Sequence, residues 1–82
     1  MEQKVNNDVV KEKAEMFKDK LKERRKELGM SQTELAGRVY LSQQLIAAYE
    51  LGVRTPGTET LSALADALDC STDYLLGRTD KR

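Results

Sequence analysis

Eighty-two residues, 39% of them apolar and only four aromatic, make one small domain with a modest core. One cysteine (Cys70) and no histidine exclude a disulfide framework, a zinc site and any Ser-His or Cys-His nucleophile, so neither an enzyme nor a bound metal or cofactor is expected. Fourteen basic and fourteen acidic side chains cancel, yet residues 1–30 hold nine against seven and residues 56–82 three against five, a weak dipole that admits an acidic partner without requiring one.

Asn6-Asn7-Asp8 offers a helix cap, and Val9 to Leu28 contains no Gly or Pro. Val10, Ala14, Phe17, Leu21 and Leu28 recur at helical spacing as one apolar stripe, interrupted by Arg24. Helix one is therefore expected to start near Asp8 and to stop at Gly29, a C′ glycine. The stripe Val10-Ala14-Phe17-Leu21 has coiled-coil-like spacing, and its first half projects beyond the domain, either free to pack on a partner or frayed. The Lys and Glu of residues 11–27 are its solvated face.

Ser31 and Glu34 read as a capping box, after which Leu35, Ala36 and Val39 face inward along a short helix two. Tyr40-Leu41 is a tight connection. Ser42 caps helix three, Gln43 to Glu50, and Gly52 breaks it. Val53 to Gly57 is a loop, Thr58 is expected to cap helix four with its stripe Leu61, Leu64, Ala65 and Leu68, and Ser71 to cap a last short helix that stops at Gly77. Cys70 is expected to be a small core residue. Nothing alternates with the period of a strand, so the chain reads as all-α with five helices.

Two helices of about eight residues joined by so short a turn cannot lie side by side; they cross steeply, as in a helix-turn-helix. Ala36 sits at the crossing, where little more than a methyl fits. Ile46 and Tyr49 share one side of helix three, leaving Gln44, Ala47 and Ala48 on the other and Gln43 at the exposed start. A glutamine amide donates and accepts at once, which matches adenine N6 and N7 in a major groove. Arg54 and Thr55 are the obvious phosphate donors of the following loop.

Residues 21–76 resemble the phage repressor/Cro (XRE) family of helix-turn-helix domains. The likeness is carried by Leu21, by Gly29-Met30-Ser31-Gln32 and Glu34-Leu35-Ala36, and by Ser42-Gln43-Gln44-Leu45-Ile46. It continues through Glu50, Gly52, Pro56, Glu59-Thr60-Leu61 and Ser71 to Gly77. The resemblance implies a five-helix lambda-repressor-like DNA-binding domain with an extended first helix. On this division residues 1–20 are an N-terminal extension, partly helical and continuous with helix one; 21–76 are the helix-turn-helix domain (motif about 32–51); and 77–82 are a charged tail.

The same resemblance implies that Gln32 touches a phosphate, that Gln43, Gln44 and Ala48 fall on base-reading positions with Ser42 at their head, and that Arg25 and Glu50 pair structurally. It departs from the family at Tyr40, where glycine is common, and at Leu51-Gly52-Val53, where Asn-Gly-Lys is usual. Helix three has no Arg or Lys, and Leu45, Ala47 and Ala48 make its outer surface apolar.

The expected function is sequence-specific DNA binding by a transcriptional regulator, a repressor holding a palindromic operator as a homodimer. The partner is double-stranded DNA, with no membrane and no small-molecule effector. The alternative is an interaction module of the same fold, such as an antitoxin or co-regulator, that has lost DNA. The free thiol, the lack of any apolar run near ~20 residues and the lack of a signal-like stretch in the first fifteen residues predict a cytoplasmic protein.

Overall fold

The computed structural model describes residues 16–82. Within them five helices follow one another and there is no strand: α1 (16–27), α2 (Gln32–Arg38), α3 (Gln43–Leu51), α4 (Thr58–Ala67) and α5 (Thr72–Leu75). The expected start of helix one near Asp8, with Val10 and Ala14, lies outside the described residues.

Along α1, Phe17, Leu21 and Arg25 are buried at successive i, i+4 steps. Leu28 does not join them. The helix ends at residue 27, the backbone turns through Gly29 at φ 70°, and Leu28 is left exposed while Met30 packs against the core instead. Arg24 does not simply interrupt the stripe. Its Nε donates to Leu68 O at 2.8 Å and its Nη2 to Asp69 O at 3.3 Å, so a guanidinium from α1 satisfies carbonyls at the C-terminal end of α4. The hydrogen bond from Arg24 also holds the Glu27 carboxyl below its ordinary pKa.

The capping box of α2 is complete: Ser31 Oγ accepts from Glu34 N at 3.0 Å and Glu34 Oε1 accepts from Ser31 N at 3.0 Å. After α2 the chain reverses through Tyr40 in the left-handed region, φ 58°, and Leu41 N returns to Ala36 O at 2.9 Å. That bond ties the turn to the residue at the helix crossing, and the buried methyl of Ala36 lets the backbones approach. Ser42 Oγ caps α3 by accepting from Leu45 N at 3.1 Å. Gly52 closes α3 at φ 80°, and a Cβ there would stand 2.9 Å from Lys18 Cδ.

Thr58 does not cap α4. Gly57 is the N-cap, extended at ψ 177°, with no side chain to offer, and Thr58 is already helical. The loop residues Pro56-Gly57 set the entry instead, and Leu61 N bonds Gly57 O at 2.9 Å. Ser71 caps α5 through Tyr74 N at 3.0 Å. The chain beyond folds back: Arg82 O accepts from Ser71 N at 2.7 Å and Arg82 Nη2 donates to Glu27 Oε1 at 2.9 Å. Lys20 and Arg82 both lie over the Tyr74 ring, at 5.0 and 5.7 Å from its centroid.

One apolar cluster joins all five helices, with Leu21, Leu35, Ile46, Leu64, Leu68 and Leu75 fully enclosed. Phe17 meets Tyr49 edge-on at 6.3 Å, locking α1 to α3. Val39 and Leu61, expected inside, sit half-buried on the rim of this cluster, whereas Ala65 and Tyr74 are fully part of it. Cys70 is half-buried on the same rim, and burial pushes its thiol pKa up. No described helix is long and apolar enough to cross a membrane.

Candidate nucleic-acid interface

The turn of the helix-turn-helix brings the first residue of α2 beside the first residue of α3, and a chain of polar contacts starts there. Gln43 Nε2 donates to Gln32 Oε1 at 2.6 Å, and Gln32 Nε2 donates to Glu50 Oε1 at 3.1 Å. Glu50 in turn accepts twice from Arg25: Nε to Oε2 at 2.7 Å and Nη2 to Oε1 at 2.9 Å. The remaining Arg25 nitrogen, Nη1, donates to Met30 O at 2.8 Å and so fixes the loop between α1 and α2.

Arg25 and Glu50 are 8% and 9% exposed, the buried charged residues of the described chain. Their fork-to-fork geometry satisfies both groups, and no buried side-chain polar atom among the described residues lacks a partner. The hydrogen bond to Glu50 raises the pKa of Arg25 further above its ordinary value, against the opposing pull of burial.

Beside this chain of contacts lies a shallow groove of about 300 Å³ lined by Ser42, Gln44, Leu45, Ala48 and Arg54. Four of these are residues that the resemblance and the loop chemistry single out. The helical repeat explains the grouping: Ser42, Leu45 and Ala48 stand three apart on one strip of α3, and Arg54 returns to it after the Gly52 turn. Gln44 is exposed at the mouth, with both ends of its amide outside the described hydrogen-bond network. The groove therefore offers a donor-acceptor amide, a cation and an apolar floor within one strip. Thr55 is exposed on the following loop, outside the groove's lining.

Two features escape a reading of the sequence alone. Leu45 is not purely outer surface, since it is half-buried, packs against the core and also floors the groove. Glu50 partners Gln32 as well as Arg25, a link across eighteen residues and two helices that no periodicity reveals. Among the described residues no group of His, Cys, Asp or Glu stands close enough together to hold a metal ion.

Fold and surface together define a small helix-turn-helix domain. The chain belongs to the phage repressor/Cro (XRE) helix-turn-helix family, whose profile, described as Helix-turn-helix, matches residues 21–75. It is 39% identical over 61 residues to the uncharacterized HTH-type transcriptional regulator YqaE of Bacillus subtilis, an alignment covering 74% of this chain and 53% of that protein. The HTH-type transcriptional regulator ImmR of the same organism is 38% identical over 61 residues, 74% of this chain and 48% of its own. The cryptic phage CTXphi transcriptional repressor RstR of Vibrio cholerae is 36% identical over 62 residues, 76% of this chain and 55% of its own. The chain thus spans about half the length of these relatives.

Proposed function

We propose that this protein is a sequence-specific DNA-binding regulator of transcription, a cytoplasmic repressor that holds a palindromic operator as a homodimer. The observation that carries the reading is the shallow groove lined by Gln44, Leu45 and Ala48 of α3 together with Arg54 of the following loop. That the curated relatives carry the names of transcriptional regulators and repressors supports it. Two copies of α3 in successive major grooves stand about 34–36 Å apart on B-DNA. Occupancy of such a site blocks polymerase without an effector.

Within each half-site, Gln44 presents a free amide that pairs bidentately with adenine N6 and N7, and the Leu45–Ala48 floor accepts a thymine methyl. Arg54, Thr55 and the second N–H of Gln32 meet phosphates, which position the domain without reading sequence.

Selection of bound sites from random duplexes, followed by Gln44→Ala, tests this. A good bidentate contact supplies about 1–3 kcal/mol of discrimination, so the variant loses preference at one position in each half-site while keeping the fold. Unchanged affinity and unchanged preference would remove α3 as the reader.

One observation favours a second reading, an interaction module of the same fold. Leu51 and Val53, at the end of α3 where the family commonly has Asn and Lys, are 71% and 70% exposed. A salt series separates the two, because an operator complex weakens as salt rises in proportion to the phosphates neutralised. If no duplex is selected at all, the interaction module stands.

A further inference from the structure

Glu50 has only lone pairs to offer, since a carboxylate paired with a guanidinium accepts and cannot donate. Everything hydrogen-bonded outward from it must follow that polarity. Gln32 meets Glu50, near the end of α3, with its NH2 group at 3.1 Å, so its carbonyl oxygen is the end left for Gln43 at the start of α3. Gln43 must then turn its own NH2 group toward that oxygen, as it does at 2.6 Å. Neither glutamine is free to flip its amide, because a flip at either one sets oxygen against oxygen. Solvent offers no such bias to Gln44, whose amide is exposed one residue further along.

We propose that Glu50, held by Arg25, is a positioning residue for DNA reading: acting through Gln32, it sets the amide orientation of Gln43 before DNA arrives. Gln43 then presents its carbonyl oxygen and one remaining N–H in a fixed order, so it discriminates between base edges that a rotating amide would accept alike. The buried pair has a second consequence. Burial of Arg25 and Glu50 keeps the anchor of this relay out of water, and the bond from Arg25 Nη1 to Met30 O ties it to the loop that leads into α2. The proposal rests on the DNA-binding reading of α3 and adds to it how one of its contacts is made selective.

The experiment uses the full chain and an operator selected from random duplexes. Gln43→Ala first marks the position whose preference depends on Gln43. Glu50→Gln removes the fixed polarity while keeping size, and Gln32→Leu cuts the relay while leaving both Arg25–Glu50 hydrogen bonds in place. Each is expected to relax preference at that marked position by about tenfold, out of the roughly fivefold to hundredfold that a bidentate contact supplies. Combining the two relaxes it no further, as members of one network behave.

A loss of affinity alone is not the readout, because a missing phosphate contact or a softened fold weakens good and poor sites equally. In the free protein, the side-chain amide resonances of Gln43 are expected to be dispersed in the native chain and to collapse toward those of Gln44 in Gln32→Leu. Variants that keep a cooperative melt and the native preference at the marked position overturn the relay and leave the DNA reading intact. Should Glu50→Gln fail to fold, Gln32→Leu decides alone. If no operator is selected from any pool, the relay falls together with the reading it rests on.

Discussion

Arg25 and Glu50 illustrate how asymmetric a buried charge pair is. Forming it stabilises little on balance, because two ions leave water to meet each other, but removing one partner strands the other at under one-tenth exposure. Arg25→Met is therefore expected to cost about 3–5 kcal/mol. That is a large share of the stability of a domain this size, on the order of 4–12 kcal/mol. Arg25→Met with Glu50→Leu replaces both ions by apolar groups and should recover most of the loss. Urea unfolding measures both variants, and a double variant as weak as the single one would mean that the ion pair itself, and not the stranded charge, carries the effect. This pair was legible from the family resemblance, residue against residue. Its extension to Gln32 was not, because which amide a carboxylate meets depends on the crossing of α2 and α3, and the sequence does not state that crossing.

At the scale of elements, caps and stops were the easiest signals to read. Ser31 with Glu34, Ser42 and Ser71 each satisfy an orphan amide of their helix start, since such bonding is local and needs no tertiary context. Thr58 and Leu28 misled for the opposite reason: a Pro-Gly entry displaced the cap by one residue, and a left-handed Gly29 swung Leu28 out of its stripe. The turn between α2 and α3 offers a clean test of local strain. Tyr40 is left-handed at φ 58° and 95% exposed, so it pays a conformational cost with no packing in return. The left-handed penalty of roughly 1–2 kcal/mol, less the extra freedom that glycine gives the unfolded chain, leaves a net gain of about 0.5–1 kcal/mol for Tyr40→Gly. The urea midpoint should rise with its slope unchanged. A fall would show that the ring holds the turn through a contact with a partner or another part of the chain.

Over the whole molecule, zero net charge and an α3 without Arg or Lys set what the proposed DNA complex would look like electrostatically. Among the described residues Arg54 lines the groove and the Lys18 side chain lies against the Gly52 turn at the end of α3; with these two meeting phosphates, each subunit of the proposed complex neutralises about two. Glutamine and threonine contacts to phosphate release no counterions, so they add affinity without adding salt dependence. At about −0.9 per phosphate neutralised, the logarithmic salt slope is then about −2 per subunit and −4 for a dimer. A rise from 50 to 200 mM salt should weaken such a dimer roughly 150- to 250-fold, against the ~10³ to 10⁵ lost by proteins with six to ten phosphate contacts. Arg54→Ala should flatten the slope by about one per subunit and leave base preference alone, because the lost contact is to the backbone. Titration of a selected operator at four salt concentrations measures both. A native slope steeper than about −6 would mean that cations other than Arg54 and Lys18 also reach the DNA, and the shallow electrostatic grip argued from α3 would be wrong.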